Sequence, residues 1–339
     1  IIANYIGRFW GFVSVFLFVP LYIKILGVET YAIINFYTVL LTIMFVADAG
    51  LTATLSREIA RTTDKKYLCN LLYTIERVYI LICFLVALLV IIFSGTIARY
   101  WIKSDIIKAV DISHYIALMG ICIALQLYNT LFNGGLMGLQ KQVLANGIQI
   151  IYSLFRSGIV LLPLYFYPNL YIYFIWQIII NIIILLFTRY KLWQFIKTEI
   201  SFRFDFSILK GVWRFALGMM TMSIIYSMNT QIDKLFVSKM LSLIDFGYYS
   251  LASILAQVPI ILTLPIANTV LPKMTRLVGE NKKEELTYLF HRYSFIIAAI
   301  ATTVTMVIFC YTKELALICI QNYEIAIHVS IISKVLIIG

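Results

Sequence analysis

Seven side chains in this sequence could do chemistry where water is scarce. Arg8, Asp48, Asn129, Asn133, Arg156, Asp233 and Lys234 all stand inside long apolar runs or at their ends. A charge at the centre of a bilayer costs roughly 2.5–3.5 kcal/mol on insertion scales, so such a residue usually faces a cavity or a partner. Arg156 lies about 21 Å along a helix counted from Gln142, with no acidic residue near it in sequence. Snorkelling explains a cation poorly at that depth. An unpaired cation facing a water-filled cavity and a pair with another helix both account for it. Arg8 lies about 24 Å before Lys24, and Asp48 about 25 Å past Tyr31. On antiparallel neighbours the two share a depth. A salt bridge that ties two helices, an anion-binding Arg beside an ion-sensitive carboxylate, and simple snorkelling all fit that placement.

Asp233 and Lys234 are adjacent and diverge by about 100° on a helix. Asn229 shares a face with Asp233. A polar stripe facing a central space and a local role near the helix end are both open. Gln126, Asn129 and Asn133 recur at three and four residues, which is one helical face. That face either turns inward or bonds to a neighbouring helix. Gly134 and Gly138 form G-x-x-x-G, a pattern for close helix packing. Lys334 stands in the last apolar run and supports no reading.

Enzymatic chemistry has no foothold. H-E-x-x-H, P-loop and G-x-S-x-G patterns are missing, as are carboxylates paired at short spacing. The five cysteines have no C-x-x-C spacing and read as small buried hydrophobes. His114, His291 and His328 are far apart and carry no ligand role. A non-enzyme is expected, with neither metal nor cofactor.

The elements that must hold these residues follow from composition. Of 339 residues, 62% are hydrophobic and 13% charged, and mean hydropathy is +0.94. A soluble domain is about 25% charged. A soluble core of this size cannot hide so much apolar surface, so much of it faces lipid. One span needs about 20 apolar residues. With connections, the chain has room for about ten, and ten apolar segments can be read: 6–26, 31–55, 74–98, 112–139, 143–167, 169–188, 212–238, 247–271, 289–312 and 325 to the end. The net charge of +11 points to basic cytoplasmic loops rather than to nucleic acid. One alternate set of connections collects 17 Lys and Arg, the other 6. This bias places the amino terminus in the cytoplasm, together with the even-numbered loops. The longest loop, 189–211, is then cytoplasmic.

A weak repeat appears at an offset of 215. Lys24-Ile25-Leu26 falls on Lys239-Met240-Leu241, Tyr31-Ala32 on Phe246-Gly247, and Arg61 on Arg276. Span one thus falls on span seven, so both halves run the same way, as in parallel repeats. Six and six predicts twelve spans. About two helices are expected beyond the carboxyl end of this sequence.

Five stretches are specific enough to point to a family: ILGVETYAI at 25–33, VADAGLTATLSREIAR at 46–61, GLMGLQKQVLANGIQIIYSLFRSG at 135–158, NTQIDKLFVSKMLSLIDFGYYSLA at 229–252 and LPKMTRL at 271–277. With these the chain resembles the O-antigen flippases, the Wzx-type polysaccharide transporters of the multidrug/oligosaccharidyl-lipid/polysaccharide exporter superfamily. Ala32 stands where that family more often has Gly. The resemblance implies an all-α polytopic membrane protein: two parallel-repeat six-helix bundles around a central cavity, the second truncated, with about ten helices present. The bundles would be 1–188 and 212–339, joined by a cytoplasmic linker at 189–211.

The implied activity is flipping of a lipid-linked oligosaccharide, an undecaprenyl-pyrophosphate O-antigen or capsule unit. It would pass from the cytoplasmic to the periplasmic leaflet of a bacterial inner membrane by ion-coupled alternating access. Membrane lipids, an O-antigen polymerase and a chain-length regulator are the implied partners; nucleic acid is not. Under this reading Arg8, Arg156, Lys234, Asn129 and Asn133 would hold substrate, and Asp48 or Asp233 would couple to an ion. A multidrug/cation antiporter of the same superfamily is the main alternative. A lipid II flippase and a membrane O-antigen polymerase follow.

Overall fold

A computed structural model describes residues 14, 17–62, 64–104, 107–196, 203–280 and 282–338. Among them every regular element is helical: α1 (Leu17–Leu26), α2 (Val28–Met44), α3 (Leu51–Arg61), α4 (Lys65–Tyr100), α5 (Ala109–Gly138), α6 (Gln142–Ser153), α7 (Leu161–Phe166), α8 (Leu170–Ile196), α9 (Phe206–Met240), α10 (Leu243–Ala256), α11 (Val258–Gly279), α12 (Lys283–Ile320) and α13 (Tyr323–Leu336). Eight helical stretches among the described residues are long and apolar enough to cross a membrane. The chain is an all-α, multi-pass membrane protein.

It forms two compact units, 1–246 and 247–339. Helix α9, which the offset of 215 places first in the second half, belongs to the first unit. There α5 is central and packs on α3, α4 and α8. Its Ile116, Ile123, Leu127 and Leu131 are fully buried. By contrast α4 turns Leu81, Phe84, Leu88 and Ile92 outward, where only lipid can cover them.

Three apolar runs depart from the single helices their periodicity predicts. The run at 31–55 breaks after a 3-10 turn at Phe45–Asp48, where Ala49 and Gly50 both take positive φ. A Cβ on Gly50 would lie 2.4 Å from the carbonyl oxygen of Ala216 in α9, so this bend and this approach both need glycine. Past the bend, α3 buries Leu51, Leu55 and Ile59 on one face and exposes Arg57 and Arg61 on the other. The run at 143–167 holds a π-turn at Leu154–Ile159. The run at 247–271 breaks at Gln257, because Pro259 in the next turn has no N–H to continue the ladder.

The expected long loop at 189–211 is a correction. Helix α8 continues to Ile196, so Arg189 and Lys191 are helical. Beyond it, the Arg203 N–H donates to Asn70 Oδ1 at 3.0 Å and the Asp205 N–H to Thr74 Oγ1 at 3.0 Å. Both bonds tie the connection to α4. Charge had marked the end of the apolar core, whereas the helix overshoots it.

Candidate cationic site in the first unit

Arg156 sits in the π-turn of Leu154–Ile159. In such a turn the backbone bonds run i to i+5, which loosens successive carbonyls, and π-turns occur frequently at functional sites. Three consecutive carbonyls here receive side-chain donors from other helices. Trp176 Nε1 donates to Phe155 O (2.9 Å), Gln177 Nε2 to Arg156 O (2.9 Å) and the Tyr22 hydroxyl to Ser157 O (2.8 Å). Inside a membrane these groups have no water to fall back on, so α8 and α1 stabilise the distortion that aims Arg156.

The Arg156 side chain is half-buried. Its Nε donates to Gln177 Oε1 at 3.1 Å. The guanidinium carbon lies 5.6 Å from the Tyr37 ring centre and 5.7 Å from that of Tyr152, within cation–π range. The network extends outward from there. Tyr152 donates to Asn181 Oδ1 (2.9 Å), Asn181 Nδ2 to Gln177 O (2.8 Å) and Tyr37 to Gln126 Oε1 (3.2 Å). Helices α2, α5, α6 and α8 thus meet at one cation, and no carboxylate among the described residues forms an ion pair with it. Of the two sequence readings for Arg156, the partner on another helix is present, but it is a neutral amide.

Asn129 is buried and Asn133 half-buried on the same face of α5 as Gln126. Both amide oxygens are buried without a hydrogen-bond partner. They are acceptors left open on a helix whose other polar groups are satisfied. Asp48 ends the 3-10 turn before the Ala49–Gly50 bend. Its carboxylate accepts the Thr52 N–H at 3.3 Å and the hydroxyls of Thr52 and Tyr79. The structure therefore gives Asp48 hydroxyl partners. The depth argument for a pair with Arg8 falls on a residue outside the described ones. Lys234 is half-buried and Asp233 exposed on α9, and Asn229 is exposed with Asp233. The G-x-x-x-G pattern does what its spacing suggests: a Cβ on Gly134 would lie 2.3 Å from Thr52 Cγ2, and one on Gly138 2.5 Å from Ser56 O, so α5 and α3 touch through these glycines.

Sequence reasoning missed a second polar cluster. Glu76 of α4 is only 4% exposed. It accepts from Arg189 Nε at 2.6 Å, Tyr128 Oη at 2.9 Å and Trp193 Nε1 at 3.0 Å. Its partners lie 52 to 117 residues away, so no local spacing could reveal them. Gln177 and Asn181 were more findable. They are an i, i+4 polar pair in the uncharged run 170–188, both fully buried.

A family profile described as polysaccharide biosynthesis protein matches residues 1–278. The chain belongs to that family. The resemblance read from the corner motifs agrees with it. Among solved structures, the fold is similar to an inward-facing multidrug resistance MATE family transporter of the MOP superfamily, with TM-score 0.77 and 16% identity over 98% of this chain and 76% of the other. An outward-facing MATE family transporter gives TM-score 0.64 at 17% identity, covering 99% and 78%. A MOP superfamily transporter from Pyrococcus furiosus, described as having a binding pocket of reversed polarity that suggests a different function, gives 0.57 at 14%, covering 99% and 77%. These likenesses establish a MOP-transporter fold. No curated protein matches the chain.

Proposed function

We propose that this family member flips a lipid-linked oligosaccharide carrying a pyrophosphate across a bacterial inner membrane by alternating access, coupled to an ion. The observation that carries this reading is Arg156: a guanidinium within a membrane span, framed by two tyrosine rings and an amide, with no carboxylate among the described residues to neutralise it. Such a cation retains its attraction for an anionic headgroup, and the neighbouring rings suit the apolar faces of sugars. The open acceptors of Asn129 and Asn133 suit sugar hydroxyls. A furrow of about 690 Å³ between α2 and α9 supports a substrate with a hydrocarbon tail. Met44, Ala47, Ile224, Ile232 and Phe236 line it. In this reading Arg8 and Lys234 extend the cationic path, and Asp48 or Asp233 takes up the coupling ion.

The similar solved structures include multidrug transporters, and the hydroxyl-bound Asp48 also suits a proton- or cation-driven antiporter. One experiment separates the two. The full-length gene is expressed in a strain lacking its own O-unit flippase. Restored surface polysaccharide with unchanged drug tolerance is expected. Raised drug tolerance without polysaccharide would overturn the flippase reading in favour of the antiporter.

A further inference from the structure

Helices α4 and α8 barely touch each other, because α5 lies between them. Where they diverge they enclose a cavity of about 670 Å³. Tyr73, Glu76, Arg77 and Ile80 line it from α4, Leu186 and Arg189 from α8. The uncharged run of α4, 78–98, would span about 31 Å, and that of α8, 170–188, about 28 Å. Each matches the hydrocarbon thickness of a bilayer, about 30 Å. Arg77 and Arg189 stand immediately past the same end of those runs. The two guanidiniums therefore share the depth at which acyl chains give way to phosphates, in the leaflet that the Lys and Arg bias assigns to the cytoplasm.

The charge in the cavity is arranged to attract an anion. Glu76, the carboxylate present, is spent on three donors. Arg77 is exposed and lies 4.9 Å from the centre of the Tyr73 ring, which holds it over the cavity mouth. Arg189 uses its Nε on Glu76 and keeps nearly half its side chain exposed. Toward the hydrocarbon side the walls become Ile80 and Leu186, which continue into the outward apolar faces of both helices. Basic pockets between transmembrane helices on the cytoplasmic side bind anionic headgroups.

We infer that the α4–α8 cavity is a binding site for an anionic phospholipid of the cytoplasmic leaflet, with its phosphate between Arg77 and Arg189 and an acyl chain over Ile80 and Leu186. This site is separate from the Arg156 cluster and does not depend on what the protein transports.

The test uses the purified full-length protein and native mass spectrometry of retained lipid. Phosphatidylglycerol and phosphatidylcholine with identical chains are the probes. The wild type is expected to retain phosphatidylglycerol preferentially. Arg77→Gln weakens that retention about fivefold. Arg99→Gln, at the other end of α4, leaves it unchanged. Ile80→Trp fills the cavity without altering charge and lowers retention as well. Each variant is first shown to unfold at the wild-type temperature. Equal retention of the two lipids by the wild type would overturn the inference, as would equal effects of Arg77→Gln and Arg99→Gln. Inorganic pyrophosphate in excess leaves the lipid in place. Displacement would mean that the site takes a free phosphate, and the lipid assignment would fall.

Discussion

The two polar clusters of the first unit solve the same problem in opposite ways. At Glu76 a buried carboxylate meets a guanidinium and two neutral donors, and its charge is compensated on the spot. At Arg156 a cation is held by an amide and two aromatic rings, none of which carries charge. The first arrangement joins α4, α5 and α8 and leaves the carboxylate nothing further to bind. The second fixes a side chain in place while keeping its field available. In a membrane span the neutrality of the partners is thus more telling than the presence of the charge.

The largest effect expected from this contrast is on transport. Arg156→Gln should lower surface polysaccharide in the complementation assay by roughly 10- to 100-fold, the loss of one charge-assisted hydrogen bond to the substrate. Arg189→Gln should leave transport per folded molecule within about twofold. Equal losses at both positions, normalised to protein level, would erase the distinction. The next effect is on stability. Glu76→Ala leaves Arg189, Tyr128 and Trp193 without their shared acceptor, and should cost about 2 kcal/mol. That is less than a fully buried pair because Arg189 is half exposed. Thermal unfolding in detergent measures it, and an unchanged midpoint would mean that the cluster does not join the helices.

The smallest effect belongs to neither cluster and calibrates both. Asp205 caps α9, and its hydrogen bonds from the Ser207 hydroxyl and N–H hold its pKa below the ordinary 3.8. A lowered folded pKa stabilises the native state above the unfolded value and loses that contribution as pH falls through the folded one. Asp205→Asn keeps a capping oxygen. It should therefore match the wild type near neutrality and lose its small pH dependence below about pH 4. Unfolding midpoints at acidic and neutral pH test this. A variant that still tracked the wild type in acid would assign the dependence elsewhere.

Hydropathy made the spans legible, because lipid imposes length and composition together. Arg156 was legible as an anomaly of depth. The contact through Gly134 and Gly138 was legible because spacing by four is itself a helical contact. Breaks were less so: the bend at Ala49–Gly50 lies inside an apolar run and needed the approach of Ala216 to explain it. The π-turn leaves no compositional trace. Glu76 was invisible for another reason, since its burial depends on side chains brought from α5 and α8 by tertiary packing.

The wide turn at Leu154–Ile159 holds one residue beyond what a regular helix of the same rise would carry. Deleting a residue there would close the turn and swing everything past it through about 100°. Leu161 and Leu164, now inward, would trade places with the outward Leu162 and Tyr165. The number of residues in this segment is thus as much a part of its information as their identities. A changed side chain would be absorbed there more easily than a changed count.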